Sequence, residues 1–495
     1  MLYPSTRTLR NAPGAPCALW PELIANQWSA HLKLLDVMKT ALTLHAGRVP
    51  KLKASPVLGV LPRLLRDPLS VYREAAALGD LVRLPLPIGR AYFLSSPELI
   101  QEVMQKKSAH FQRPPALRRV LQSLGGDNLM TREGSAWLSR RRLMTPSLQR
   151  REVTRLGGEI LAAIDTALDS WTTFAPETVC LRELLVLLTR EVVARTLLGV
   201  SIHAVPEVGD AFSVLTRYIC YRATAPVAAP LWLPTRQHRE VRRAQRDLDR
   251  VADSILAQHR STGVWRANLL TILLHASDPE TGAHLDDVQL RRELQVLMGA
   301  GETTTGEALA FCFSLLGRHP DVLARVVSEL DAALGTRAIE ISDLPKLPLL
   351  RQVLDETLRL YPPSYVLARS AIEPTTLGDL SIGAGTTVLY SPYTLHRDPR
   401  FWSAPEAFRP ERFAPDGEAS AVPRYAYLPF GAGPRRCIGE NLAQLELVFA
   451  VARVLQRFTL RLPRETLPAL SAGFALGLTD GLPAAITPRA LPTAA

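Results

Sequence analysis

Near the C-terminal end, Phe430-Gly431-Ala432-Gly433-Pro434-Arg435-Arg436-Cys437-Ile438-Gly439 sets one cysteine in a loop of three glycines, a proline and two arginines. From Glu440 onward the apolar residues Leu442, Leu445, Val448, Phe449 and Val451 recur at helical spacing, so Cys437 lies where a helix begins. A helix N-terminus carries partial positive charge and unpaired N–H donors. Together with the arginines it should lower the cysteine pKa and favour a thiolate. Such a thiolate suits an axial ligand to haem iron. It also suits a nucleophile, but that chemistry needs a partnered histidine, and no Cys/His signature supports one.

Three further groups of residues could do chemistry. Gly299-Ala300-Gly301-Glu302-Thr303-Thr304-Thr305-Gly306 interrupts an apolar helical pattern over 285–317 with three glycines and three β-branched polar residues. Both types weaken a helix, and a concentrated departure of this kind belongs at functional sites. Threonine hydroxyls can take the preceding turn's carbonyl and open the helix into a groove holding hydroxyls and a carboxylate. The alternative is close helix–helix packing through glycine. Trp137 and Arg141 lie four apart on one helical face, and Glu356 and Arg359 lie three apart on a helix over 347–361 that ends at Pro362-Pro363. Read alone, the first pair is an aromatic on an arginine stem and the second a surface ion pair.

The elements that must position these residues are mostly helical. Residues 50–68 are punctuated by proline and read as an extended lead-in without a helix. A helix follows at 70–77, then strands at 81–86 and 91–94 joined by Pro87-Ile88-Gly89. Ser96-Pro97 opens another helix. Residues 111–132, with Pro114, Pro115, Gly125 and Gly126, read as a long loop of the lid or binding kind. Residues 155–262 are nearly all helical by pattern, broken at 200–207 and 223–234. The second break, ATAPVAAPLWLP, reads either as a substrate access segment or as interhelical packing. The helix at 236–250 carries charge on every turn and reads as a solvated surface helix. The 285–317 helix has a capping pattern at Asp286 and Gln289 and a stop at Gly317 and Pro320. Strands are expected at 365–371 and 386–390.

Composition removes several function classes. The 495 residues are 47% hydrophobic and 21% charged, as in a globular protein with a large core. The net charge of +11 comes from 58 basic against 47 acidic residues, but no basic stripe is interleaved with aromatics, which are 6% of the chain. Nucleic-acid binding is therefore not expected. Cys17, Cys180, Cys220, Cys312 and Cys437 are scattered and form no C-x-x-C pair, which excludes a zinc ribbon and a disulfide framework. The first four read as small buried hydrophobes. No apolar run is long enough for a membrane-spanning helix. Arg7 and Arg10 lead into Pro13, Gly14 and Pro16 rather than an apolar core, so no signal peptide is expected. Residues 1–48 read as an N-terminal extension to a domain over 49–495.

Four segments together resemble one family, the cytochrome P-450 haem-thiolate monooxygenases. Phe430, Gly433, Arg435, Cys437 and Gly439 match its F-x-x-G-x-R-x-C-x-G signature, and Glu356 and Arg359 match its E-x-x-R. Phe408-Arg409-Pro410-Glu411-Arg412-Phe413 contains its P-E-R-F segment, and Trp137 and Arg141 match its W-x-x-x-R. The likeness runs from about Pro56 to the C-terminus and leaves out residues 1–48.

The resemblance implies a mainly α fold with small β-sheets (α+β), a single domain with haem between a long central helix and the cysteine loop. It implies Cys437 as the iron ligand, Phe430 beside the sulfur, and Gly433 and Gly439 in the haem-facing loop. Trp137, Arg141, Arg369 and Arg435 are implied to hold the propionates, as forked guanidinium groups suit carboxylates. Glu356, Arg359 and Arg412 are implied to form an ion network behind the haem. Glu302 and Thr303 match the acid–threonine pair of [A/G]-G-x-[D/E]-T-[T/S], which helps deliver protons to dioxygen. That motif is departed from at Ala300, where glycine is usual; Thr303 aligns without a gap and Thr304 is the alternative.

The implied cofactors are haem b and O2. The implied reaction places one oxygen atom of O2 into a hydrophobic small molecule, a terpenoid, fatty acid or polyketide-like compound. Substrate-facing stretches by the same resemblance are 114–130, 223–232, 294–299, 364–367 and 473–478. Only 58 residues follow Cys437, and no flavin or iron–sulfur signature is present. Electrons from NAD(P)H are therefore expected through a separate ferredoxin or flavodoxin with its reductase, and the positive net charge suits an acidic partner. The expected state is a cytoplasmic monomer, with peripheral membrane contact as an alternative. Rival readings are a haem-thiolate enzyme that uses or isomerises a peroxide, which does not need the Glu302-Thr303 pair, and a non-catalytic haem-binding protein.

Overall fold

Proline placement decides the first elements. Pro62 falls in the first turn of a helix, where its missing N–H costs nothing. So α1 (Leu61–Arg66) forms inside the stretch expected to be extended. This computed structural model describes residues 49–489 apart from 175–177, 225–228, 230, 263–267 and 463–468. The expected extension over 1–48 and much of the 223–234 break lie outside the described residues.

In α2 (Pro68–Leu78) the first turn is capped by Asp67, whose carboxylate accepts from the Ser70 N–H at 3.1 Å. β1 (Leu81–Leu84) and β2 (Ala91–Leu94) pair as an antiparallel hairpin. After α3 (Pro97–Gln101), capped by Ser96, the chain turns into a π-helix at Glu102–Lys106 that no local pattern announces. β3 (Phe111–Gln112) follows. The expected loop over 111–132 instead holds α4 (Pro115–Gly125), with Pro115 in its first turn and Leu121 and Leu124 buried. The prolines and glycines at its two ends are helix boundaries rather than signs of a loop. Next comes α5 (Gly134–Met144), which buries Trp137 and Arg140.

The next stretch is helical as expected, with α6 (Arg150–Arg155), α7 (Gly157–Asp169), α8 (Leu181–Val193), α9 (Glu207–Thr224), α10 (Arg236–Thr262) and α11 (Leu269–His275). One departure is β4 (Thr178–Cys180), too short to leave a period in the sequence. The other is α10, which runs past 250 and is not solvated all round. Val241, Ala244, Leu248, Val251 and Ile255 are buried, so a charge on every turn hides an apolar stripe at three- and four-residue spacing.

The central element is α12 (Asp287–Arg318), one helix of 32 residues. Asp286 caps it, accepting from the Gln289 N–H at 2.8 Å. The expected opening at 299–306 is absent, and the helix is continuous. The Thr304 hydroxyl donates to Ala300 O at 2.7 Å, a second bond that a carbonyl with two lone pairs can accept. The glycines serve close packing: a Cβ on Gly301 would lie 3.1 Å from Val193, and one on Gly306 would lie 2.9 Å from Val186, both in α8. The final turns, Leu309 to Leu316, are buried all round and form the centre of the core.

α13 (Pro320–Leu334) and α14 (Pro348–Leu360) pack beside it. Then come β5 (Leu367–Ala371), β6 (Thr375–Leu377), β7 (Leu380–Ile382), β8 (Thr387–Tyr390) and α15 (Pro392–Leu395). The largest sheet has the order β1-β2-β8-β5-β3, and its single parallel pairing joins 91–94 to 387–390. α16 (Glu440–Arg457) starts behind the cysteine loop. β9 (Phe458–Arg461), β10 (Leu470–Ala472), β11 (Leu476–Leu478) and β12 (Pro483–Pro488) make the β4-β12-β9 and β10-β11 sheets. The fold is mainly α with small β-sheets. Among the described residues no helix is long and apolar enough to cross a membrane. Cys312 is fully buried, as read from the sequence, whereas Cys180 and Cys220 are only half-buried and Cys17 lies outside the described residues.

Candidate active site

Two glycines bend the cysteine loop. Gly431 and Gly433 take φ of +72° and +67°, which other residues rarely adopt. A Cβ on Gly433 would also collide with the Met104 carbonyl of the π-helix. The Cys437 N–H closes the loop by donating to Phe430 O at 2.9 Å. Gly439 caps α16, and a Cβ there would meet no protein atom within 4 Å. The Cys437 thiol is accessible yet closely surrounded by protein, as a side chain lining an internal space is. Its pKa departs from the expectation: burial pushes it up, opposed by the Gly439 N–H and by Arg141 and Arg436. Partial charges at a helix start do not outweigh desolvation of the thiolate, and Arg436 is already paired with Glu440.

Above this loop lies a cluster of guanidinium groups. Arg435 pairs with Glu133 and stacks over the Trp137 ring at 4.2 Å. Arg369, from β5, is buried, and among the described residues it donates to the Ala368 carbonyl alone, at 2.8 Å. Arg113 precedes α4; its backbone N–H donates to Glu133 at 3.1 Å, while its side-chain Nε is buried and has no partner among the described residues. Burial and mutual repulsion lower the pKa values of Arg113 and Arg435 to about 10. Arg113, Arg369 and Arg435 carry more positive charge than the Glu133 carboxylate balances, which suits propionates. These residues therefore fit the haem that the cysteine loop implies. Arg113 is the member that sequence reasoning missed. Arg141 sits next to Cys437 and Arg435, and burial lowers its pKa.

On α12, three neighbouring residues diverge. Glu302 points into the α8 interface, where Arg190 donates to it at 2.6 Å and the Thr189 hydroxyl takes its backbone carbonyl at 3.0 Å. Burial raises the Glu302 pKa and Arg190 opposes the rise. Thr304 is occupied by Ala300 O. Thr303 lies seven residues after Val296, so it shares that residue's face to within about 20°.

Glu356, Arg359 and Arg412 are brought together and fully buried. Arg359 holds Glu356 through two bonds of 2.6 and 2.8 Å, and Arg412 Nε reaches Glu356 at 3.2 Å. Further guanidinium donors go to the carbonyls of His396, Pro405, Ala407 and Ala404, while Arg412 Nη1 pairs with Glu418 and reaches the Ser403 hydroxyl at 3.3 Å. The network thereby fastens α14 to the irregular chain before the cysteine loop. His396 extends it: Nδ1 donates to Arg359 O at 3.1 Å and Nε2 accepts from the Leu428 N–H at 2.8 Å.

A cytochrome P450 family profile matches residues 49–480. The chain belongs to the cytochrome P450 family. It is a P450 monooxygenase, and haem and O2 are the cofactors of that family. Cyclooctat-9-en-7-ol 5-monooxygenase of Streptomyces melanosporofaciens is 35% identical over 83% of this chain and 89% of its own. Cyclooctatin synthase of the same organism is 31% identical over 82% and 88%. Pentalenene oxygenase of Streptomyces avermitilis is 30% identical over 84% and 91%. The crystal structure of cytochrome P450DA haem domain superposes with a TM-score of 0.81 at 23% identity, covering 89% of this chain and 98% of that one, which speaks for the fold.

In this P450 an apolar cavity ends against Gly299 and Ala300, one turn before Thr303. Of the expected substrate-facing stretches, 114–130 contributes Leu121, Leu124 and Met130, 294–299 contributes Val296, and 473–478 contributes Phe474. Residues 364–367 do not reach it; the Tyr365 hydroxyl is bonded to the carbonyls of Ala472 and Gly473, each at 3.1 Å. Residues 225–228 and 230 of the 223–232 stretch lie outside the described residues. Phe212 and Leu215 of α9 and Leu248 of α10 also line it, and nothing in their local sequence marked them.

Proposed function

We propose that this P450 hydroxylates a terpenoid, drawing electrons from NAD(P)H through an acidic ferredoxin or flavodoxin and its reductase. The observation that carries the substrate reading is the apolar cavity ending at Gly299 and Ala300. Three relatives of 30–35% identity support it, named for cyclooctat-9-en-7-ol, cyclooctatin and pentalenene. The redox reading is supported by a groove beside the cysteine loop, lined by Phe430 to Gly433 and by Arg351, Arg424 and Arg436 against Asp355 and Glu440, which pair with Arg351 and Arg436 and leave a net positive charge. Arginines in such a groove suit carboxylates on a partner.

In this reading Cys437 Sγ would ligate the haem iron, and Arg113, Arg369 and Arg435 would hold the propionates, with the Trp137 ring against Arg435. When bound, haem supplies the activation of dioxygen and the insertion of one oxygen atom into a C–H bond. The chain supplies position and protons. The apolar cavity excludes water and orients the substrate. Thr303 Oγ1, on the cavity face of α12, would pass a proton toward the substrate side, and the Glu302 carboxylate would take up a proton from solvent and return it to Thr303, with burial raising its pKa and Arg190 opposing the rise. Residues 49–495 act as one domain, supported by a buried apolar cluster that draws on elements from Leu52 to Ile486.

The test is spectroscopic first and catalytic second. The wild type should show the reduced carbon monoxide band of a cysteinate haem, and Cys437→Ala should abolish it. With NAD(P)H and surrogate redox proteins, Thr303→Ala should lower product per NAD(P)H several-fold, while Thr304→Ala should do so much less. Survival of the band in Cys437→Ala removes the ligand assignment. A spin-state shift with fatty acids but with no terpenoid removes the substrate class.

A further inference from the structure

Several polar side chains line the cavity, and their bonding is incomplete. Gln245 of α10, Arg292 and Gln295 of α12 and Thr216 of α9 line it, as does Asn128, whose side chain is already bonded to the Met130 N–H and to Gly125 O. Asp249 Oδ1 accepts from Arg292 Nη1 at 2.8 Å and from Gln295 Nε2 at 2.9 Å, and Arg292 Nη1 also donates to Gln295 Oε1 at 3.1 Å. Gln245 Nε2 donates to Leu124 O at 2.7 Å. These bonds fix the four side chains. Among the described residues they leave Arg292 Nη2, Gln245 Oε1 and the Thr216 hydroxyl without partners. A guanidinium donor, an amide acceptor and a hydroxyl, contributed by three helices, thus border an otherwise apolar space.

We infer that the substrate carries a hydroxyl group at the end remote from the carbon that is oxidised, and that Arg292, Gln245 and Thr216 bind it. This rests on the terpenoid reading above and specifies what that terpenoid bears. An alcohol accepts from Arg292 and donates to Gln245, so both unmet groups are satisfied by one oxygen. Asp249 neutralises Arg292, which favours a neutral hydroxyl over a carboxylate. Arg292 precedes Thr303 by eleven residues, about 16 Å along the helix axis. The anchored oxygen and the reacting carbon therefore lie at opposite ends of the skeleton. The inferred substrate is a terpenoid that an earlier oxygenation or a water-quenched cyclisation has already made an alcohol.

The experiment uses the haem-loaded enzyme and spin-state titrations with two probes: cyclooctat-9-en-7-ol and the same ring skeleton without its hydroxyl. The alcohol should bind roughly tenfold tighter, the worth of a hydrogen bond to a charged group. Gln245→Leu and Thr216→Val should each bring that ratio down several-fold, with the reduced carbon monoxide band confirming folded enzyme. Thr216→Val keeps the side-chain shape and removes no bond within the protein, so a structural defect cannot mimic the result. Equal affinities for the two probes overturn the anchor and leave the terpenoid reading standing. A wild-type ratio in both variants also overturns it. If neither probe shifts the spectrum, and pentalenene does not either, the terpenoid reading fails and the anchor falls with it.

Discussion

Arg190 donates to Glu302 at 2.6 Å across the interface of α8 and α12, with both side chains largely buried. Burial raises the Glu302 pKa, and the guanidinium works against that rise. Removing the guanidinium in Arg190→Met leaves desolvation unopposed, so Glu302 holds its proton to higher pH. If turnover requires the carboxylate, its acid limb should move up by about one unit or more. Glu302→Gln should lower turnover by roughly a hundredfold and leave haem content unchanged. Coupled product formation across pH measures both, and an unmoved acid limb in Arg190→Met removes Glu302 from the proton path.

Gly433 and Gly439 should respond differently to alanine. At Gly433 a Cβ meets the Met104 carbonyl, and φ is +67°. Gly433→Ala should destabilise the protein by about 2 kcal/mol or more, with or without haem. At Gly439 no protein atom lies within 4 Å of the added Cβ. Gly439→Ala should leave the urea midpoint of the haem-free chain within roughly 0.5 kcal/mol of wild type and still reduce haem retention. Equal losses in the haem-free chain would show that protein packing alone demands both glycines.

Glu356 sits between two arginines, and all three are fully buried. Breaking a buried network from one side leaves uncompensated charge, so Glu356→Ala should cost about 3–5 kcal/mol. Arg359→Lys should recover little of this, because one ammonium cannot replace a fork that reaches two carboxylate oxygens and three carbonyls. Chemical denaturation gives the comparison. A loss below about 1 kcal/mol in Glu356→Ala means that the network is not a structural tie.

His396 should give the fold a pH dependence. Burial lowers its pKa from 6.5 to about 3, so the native chain keeps the imidazole neutral where the unfolded chain protonates it. Stability is then unaffected above about pH 6.5 and falls by about 1.4 kcal/mol per unit as pH drops toward 3. His396→Gln should flatten this slope between pH 6.5 and 5. An unchanged slope assigns the acid sensitivity to other groups.

Sequence and structure agree where chemistry depends on residue identity at short range. The cysteine loop and the Glu356/Arg359 pair fall into this class, because a few residues carry the whole arrangement. Arg113 was not legible, since the arginines it clusters with, Arg369 of β5 and Arg435 of the cysteine loop, arrive more than two hundred positions later. The π-helix at Glu102–Lys106 likewise answers to the Gly433 contact and not to its own composition. The glycines of 299–306 read as a broken helix, yet their neighbours Phe212, Val193 and Val186 belong to other helices. In α10 the charges were conspicuous and the buried stripe was not. A period of three and four survives poorly when every turn also carries arginine.

The parallel pairing of β2 with β8 has a consequence for how the protein is made. Residues 91–94 wait for 387–390, and Arg113 waits for Arg369 and Arg435. Closing so long a loop is slow, since the chain entropy is lost before any contact repays it. During synthesis the N-terminal part therefore emerges with its sheet edge unpaired and its guanidinium cluster unassembled. If Cys437 is the ligand as proposed, haem is captured only after Gly439 has left the ribosome, when nearly all the chain is already free to aggregate. Slower synthesis or a chaperone that shields β2 should thus raise the haem-loaded yield more than added haem alone.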